Sequence, residues 1–485
     1  HQYLIKEIED VKPQLVLVCG ATALQTLLNT TAIKVTEEYG RIREFHGCQV
    51  LPIMNPGVLI HKPGDYNPFL AMLQLAATIY GGGTAVDTGE TKYEVLDTVE
   101  KCRNLYTHMV RLHKEGNLEY VSFDMETTGL DYRTAEFLVL GICFEKNKAY
   151  VIPREMRHVV HNFVEGAPWR CVWQHGKYDK KVMWRREIAN VSIDEDTLYL
   201  HYTLDETSQH DLGYLSKVFL NAAPYKYKMN QNWKAVSLET YPQFFEALCE
   251  RVAVDVDYTL QVFHVLKEKV QEEPTLWKLY SELLIPAANF LSRVEQNGIQ
   301  VDPDYLYNLD VKYTKLLSEI REQIDELAEP FWDPDAYQWA TGSKTAPAKF
   351  NPGSPQQMAW MVFDRLKLNP RIKKGRSTDK TILKSIANPP ELVRKVLEYR
   401  NVQKEHSTYV LGLLEAQDED GRVRSTFNLH VTATGRLSSK EPNVQNQPSA
   451  NGIGNIRKCF VASPGHVLAD IDYSVSPFRN NSFVV

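Results

Sequence analysis

Tyr120-Val121-Ser122-Phe123-Asp124-Met125-Glu126-Thr127-Thr128-Gly129-Leu130 combines an apolar β-type run with two acids spaced one residue apart. It opens as a β-strand, and because strand side chains alternate with a period of two, Asp124 and Glu126 share one face. Two neighbouring carboxylates flanked by Val121 and Phe123 repel each other, and a bound divalent cation is the economical way to keep both ionised. An Asp-x-Glu taken alone describes two solvated acids at an exposed strand end. Further acids arrive in fitting contexts, however: Gln174-His175-Gly176-Lys177-Tyr178-Asp179, the run from Asp196 to Glu206, and Asp255-Val256-Asp257.

Outward from this stretch the chain separates into regions. From about Tyr120 to Lys269, strands such as 120–123 and 138–142 precede mostly helical sequence, an α/β pattern. Upstream, Tyr3 to Tyr80 is a second α/β unit, with a strand at Leu15-Val16-Leu17-Val18-Cys19 and a helix from Ala21 to Leu28. Gly81-Gly82-Gly83-Thr84 reads as a linker. From Glu282 onward apolar residues recur at helical spacing, as in 283–291 and 392–397.

The 485 residues suffice for three or four domains, and 43% hydrophobic with 24% charged residues is ordinary globular composition. No apolar run approaches the roughly 20 residues that span a bilayer, so no membrane partner and a cytoplasmic location, at a nucleoid or viral replication complex, are expected. The 7 cysteines are scattered without a Cys-x-x-Cys, which predicts reduced thiols and no zinc or iron-sulfur site. A net charge of −6 gives no global attraction to nucleic acid, so DNA binding has to come from local basic surface such as 371–376.

The acidic set resembles the DEDD 3′-5′ exonuclease superfamily, specifically the proofreading domain fused to family A polymerases. The resemblance implies an RNase H-like domain whose catalytic, metal-binding carboxylates are Asp124, Glu126, Asp179 and Asp255. It further implies two Mg²⁺ or Mn²⁺ ions, single-stranded DNA 3′ ends as substrate, and nucleoside 5′-monophosphates as product. Two positions depart from the family. Arg251 stands where a Tyr orients the water, and His175 stands where an Asn is usual. A helix-surface cation and a capping or core histidine are the structural readings of these two residues.

Downstream, Phe350-Asn351-Pro352-Gly353-Ser354-Pro355-Gln356-Gln357, Arg376-Ser377-Thr378-Asp379 and Glu398-Tyr399-Arg400 resemble, in order, the thumb of a family A (DNA polymerase I-like) DNA polymerase. Thr434-Gly435-Arg436-Leu437-Ser438-Ser439 and Pro442-Asn443-Val444-Gln445-Asn446 extend the resemblance to its primer-template-binding segment. Arg436 is expected at backbone phosphates, Arg457 near the nucleotide or template, and Ser438, Ser439, Asn443, Gln445 and Asn446 at sugars and minor-groove edges, as sequence-independent DNA binding requires. Asp472 falls at that family's first catalytic carboxylate. The family then continues Gln-Ile-Glu-Leu-Arg, whereas this chain reads Val475, Ser476, Pro477, Phe478, Arg479 and ends at Val485. A second metal-binding carboxylate and a fingers helix have no sequence here, so an incomplete polymerase is expected, completed by a separate chain if at all.

Residues 12–23 with Met54-Asn55-Pro56-Gly57-Val58-Leu59-Ile60-His61 resemble part of a type 4 uracil-DNA glycosylase, with Asn55 in place of the family His; no glycosylase activity is expected. The expected architecture is therefore an α/β and α+β multidomain chain. Its parts are a glycosylase-like α/β segment (1–82), linker and helix (83–115), RNase H-like exonuclease (116–275), mainly helical thumb and primer-template region (276–445), and the start of the palm (446–485). The expected function is a 3′-5′ exonuclease of a replication or repair polymerase. Open alternatives are a catalytically weak DNA-binding half of a split polymerase and a glycosylase-like base-repair protein.

Overall fold

The computed structural model describes residues 2–30, 38–40, 42–61, 66–81, 90–220, 222, 235–345, 347–371, 375–448 and 454–471. Most of the Gly81–Thr84 linker, the centre of the 371–376 basic run, Asp472 and the altered tail at 475–485 lie outside the described residues. The chain divides into two compact units, one of His1–Gln296 with Asn428–Ser438, the other of Asn297–Phe427 with Ser439–Val485.

The first unit contains two sheets. The smaller has the order β1-β3-β2, with β1 (Leu15–Cys19) parallel to β3 (Cys48–Ile53) and β2 (Arg43–Phe45) antiparallel to it. The larger has six strands in the order β4-β7-β6-β5-β8-β9. Its centre is an antiparallel meander of β5 (Tyr120–Thr127), β6 (Phe137–Glu145) and β7 (Lys148–Pro153). β4 (Lys92–Val95) joins in parallel at one edge, and β8 (Arg170–Trp173) and β9 (Glu195–Asp196) at the other.

The near-continuous apolar run of β6 is buried throughout its first seven residues, as expected of a strand covered on both faces. The helix Tyr241–Gln271 covers one face, placing Leu248, Val252, Val256 and Leu260 against Leu138, Val139 and Val151. Phe123, on the opposite face of β5, stacks on Trp173 at 5.5 Å between ring centroids.

The second unit is mainly helical. Asp302 caps the helix Pro303–Ala328 by accepting from the Tyr305 N–H at 2.9 Å, with Pro303 in the first turn where its missing N–H costs nothing. Leu306, Leu309, Tyr313, Ile320 and Ile324 from that helix pack with Leu392, Val393 and Val396 of the helix Glu391–Lys404. No helix among the described residues is long and apolar enough to cross a membrane.

Candidate active site

The period of two along β5 puts Ser122, Asp124 and Glu126 on the face covered by the helix Tyr241–Gln271. Ser122 is fully buried, and its Oγ lies 2.7 Å from the Val256 carbonyl oxygen, to which it donates. That bond ties strand to helix one step before the acids. Gly141, opposite Asp124 on β6, allows the close approach, since a Cβ there would stand 2.8 Å from Val256 Cγ1 and 3.0 Å from the Val252 carbonyl oxygen. A register shift between Glu126 and Thr127 interrupts the regular pairing two residues further along the strand.

The helix thereby delivers Asp255 to the strand acids: Asp124, Glu126 and Asp255 each offer an oxygen, all within 4.8 Å of one another. Among the described residues this is the group of metal-ligating side chains, and Asp179 is not in it. Asp179, in the first turn of the helix Lys177–Arg185, is buried and its Oδ1 accepts the Met125 N–H at 3.1 Å. Burial, with the charges of Asp196 and Glu126, pushes its carboxyl well above the usual range.

Arg251 does not face solvent as a helix-surface cation. One turn before Asp255, its Nε lies 2.7 Å from Glu126 Oε1 and 3.7 Å from Asp255 Oδ2. His175 occupies a left-handed turn, φ +62°, a region in which Asn, Asp and His are the tolerated side-chain-bearing residues. The left-handed turn thus accounts for a His at this position without assigning it a catalytic role.

Asp196 holds that turn, its Oδ1 accepting from the His175 and Leu198 N–H groups and its Oδ2 from the Gly176 N–H at 2.9 Å. Its burial pushes the carboxyl up to about 7 against those backbone donors. Tyr178 is occupied in donating to the Gly129 carbonyl, and burial pushes its phenol up to about 12. Asp257 is also structural, accepting from Thr91 Oγ1 at 2.7 Å and the Asn147 N–H at 3.0 Å.

The three acids line an open cleft of about 1220 Å³ that also takes in His175, Tyr178, Arg251 and His430. That exceeds a usual small-molecule pocket and suits a chain segment. With Glu206 and Asp211 also lining it, the cleft is acidic. A polyanion therefore needs added cations to enter.

The expected DNA-binding residues fall in both units. Arg436 is exposed and Ser438 half-buried, both within the Asn428–Ser438 segment of the first. In the second, Ser439 is buried and shares a hydrogen bond with Ser425 while accepting the Val444 N–H at 3.0 Å. Asn443 Oδ1 accepts from the Gln445 and Asn446 N–H groups, which leaves those two side chains exposed. Arg457 donates to the Gln447 and Pro448 carbonyls.

The thumb-like motifs hold one another. Ser354 caps the helix that starts at Pro355 by accepting the Gln357 N–H, Gln357 Oε1 accepts the Asn351 N–H at 2.7 Å, and Arg400 donates to the carbonyls of Pro352 at 2.7 Å and Thr378 at 2.9 Å. All 7 cysteines are free thiols.

Ser122, Gly141 and Asp196 escaped assignment from sequence. A serine two before Asp124 in strand register and a glycine within a strand were the available signals for the first two.

Residues 98–271 match the 3′-5′ exonuclease family, and residues 313–479 match DNA polymerase family A. The chain is similar to DNA polymerase I of Borreliella burgdorferi, 28% identical over 407 residues, which covers 80% of this chain and 41% of that one. It is 30% identical over 394 residues to DNA polymerase I of Pseudomonas aeruginosa, covering 76% and 41%. It therefore spans less than half the length of these curated relatives. The fold is similar to the POL domain of Pol1 from M. smegmatis, solved in complex with DNA primer-template and dNTP. There the TM-score is 0.57 at 20% identity, covering 78% of this chain and 59% of that one.

Proposed function

We propose that this DNA polymerase I-like chain, with its exonuclease and polymerase domains, removes nucleotides from single-stranded DNA 3′ ends by hydrolysis at Asp124, Glu126 and Asp255. The convergence of these carboxylates within 4.8 Å at the wall of a strand-sized cleft carries this reading. The donor set is all oxygen and anionic, and so fits Mg²⁺ or Mn²⁺. Bound there, two such ions would supply an activated water and charge neutralisation for the phosphodiester and the leaving 3′ oxygen. Asp124 and Glu126 are placed by the strand and Asp255 by the helix, so the ligands are positioned before substrate arrives. Asp179 acts on Met125 in the strand between two of them, a positioning role, and is proposed as a further ligand only on the family resemblance.

The proposed domain limits remain 1–82, 83–115, 116–275, 276–445 and 446–485, with the six-stranded mixed sheet supporting an RNase H-like exonuclease. Arg436, Ser438, Ser439, Asn443, Gln445, Asn446 and Arg457 are proposed to serve primer-template DNA. Ser439 would act by shaping the Val444 backbone. Asp472 is proposed as a polymerase carboxylate by resemblance, with a cytoplasmic place of action. The parallel β1–β3 pair supports an α/β segment at 1–82, and its glycosylase likeness rests on sequence alone. A second reading, a weakly catalytic DNA-binding half of a split polymerase, is favoured by Arg251 among the acids. Nucleotide incorporation on adding a palm-and-fingers fragment in trans would support it.

A 5′-labelled single strand with Mg²⁺ tests the main reading. Stepwise shortening from the 3′ end, halted by a terminal phosphorothioate, is expected; internal cutting or an intact strand would overturn it.

A further inference from the structure

Resting on that nuclease reading, we propose that Arg251 is a built-in counterion of the carboxylate group, which a divalent cation has to displace in order to bind. Its Nε pairs with Glu126 at 2.7 Å and lies 3.7 Å from Asp255, two of the three acids that would ligate the metal. A guanidinium and a metal ion compete for the same oxygen lone pairs. The guanidinium stays charged at every pH at which the acids are ionised, so the competition is not relieved by titration.

The helix fixes where this competitor stands. Arg251 and Asp255 are four residues apart on one helical face. Ser122 and the closely packed Gly141 hold that helix to the sheet, so the backbone cannot carry Arg251 away. Only rotation of its long side chain can, and that side chain is 26% exposed against 12% for Glu126 and 7% for Asp255, so an exit toward solvent is open. With the guanidinium in place the formal charge of the group is −2 rather than −3. The metal-free site is thereby stabilised and its affinity for cations lowered. Arg251 thus sets cation occupancy, a different task from orienting a water.

The test is Mn²⁺ alone, without DNA, titrated into the full chain and followed by electron paramagnetic resonance of the free ion. Arg251→Gln is expected to bind Mn²⁺ at least about tenfold tighter than the parent chain at a site lost on adding Asp124→Asn, whereas Arg251→Lys stays within about threefold. Arg251→Met, which keeps the alkyl stem, carries the same expectation if Arg251→Gln does not fold. Thermal unfolding gives a second readout: the charge-removed variant melts below the parent without Mn²⁺ and gains more on its addition. Equal affinity in parent and Arg251→Gln would overturn the counterion role and leave the metal site standing. Absence of Asp124-dependent Mn²⁺ binding in every variant would overturn the nuclease reading as well.

Discussion

At Gly141 the space for a side chain is already filled by Val252 and Val256, whose stiff β-branched side chains have little freedom to yield. Gly141→Ala is expected to destabilise the first unit by about 1–3 kcal/mol in urea titrations, the cost of overpacking, and to weaken Mn²⁺ binding by shifting Asp255. Unchanged Mn²⁺ affinity would show that the helix position does not matter. At His175 the constraint is backbone conformation, so His175→Asn should leave stability nearly unchanged while His175→Val loses about 1–3 kcal/mol. Equal losses would contradict this. The pairing of Asp124 with Glu126 was legible because a strand's period of two is local. The contact of Arg251 with Glu126 was not, since those residues meet only when helix packs on sheet.

Between elements, the helix Lys177–Arg185 is fastened through buried charge. Lys177 and Lys181 both pair with Glu295, and the three side chains are 3%, 6% and 1% exposed. Removing the shared partner leaves two buried ammonium groups, so Glu295→Ala should cost about 3–5 kcal/mol by chemical denaturation. A loss under 1 kcal/mol would sink that account.

The helix Thr197–Leu204 carries His201, whose Nδ1 lies 2.8 Å from that of His210. Burial first, then the neighbouring His210, lowers His201 from 6.5 to about 4. Its folded value is depressed, so the neutral ring contributes stability that is fully present above pH 6.5 and is lost as pH falls toward about 4. His201→Gln should therefore flatten the dependence of unfolding free energy on pH across that window, and an unaltered slope would refute it. The sequence marked the strand 15–19, the strand beginning at 120 and the helix around 392–397, each carried by local apolar pattern. The bulge at Glu126 and the cap by Asp196 depend on partners distant in sequence, and so were not legible.

Across the whole chain, a net charge of −6 and an acidic cleft set the terms of the proposed DNA binding: a strand would approach the acids only with cations accompanying it. The family matches at 98–271 and 313–479 agree with the regions that the motifs singled out, because those motifs are short, ordered and chemically demanding. Site geometry needed the fold, which gathers three carboxylates and turns Asp179 to the backbone. The most direct test is mononucleotide release from a 3′-labelled single strand with Mg²⁺ or Mn²⁺, by the parent chain and by Asp124→Ala, Glu126→Ala and Asp255→Ala separately. Each substitution is predicted to lower the rate by about 10²-fold or more. Release at the parental rate by any of the three would contradict the assignment of that carboxylate group as the reactive centre.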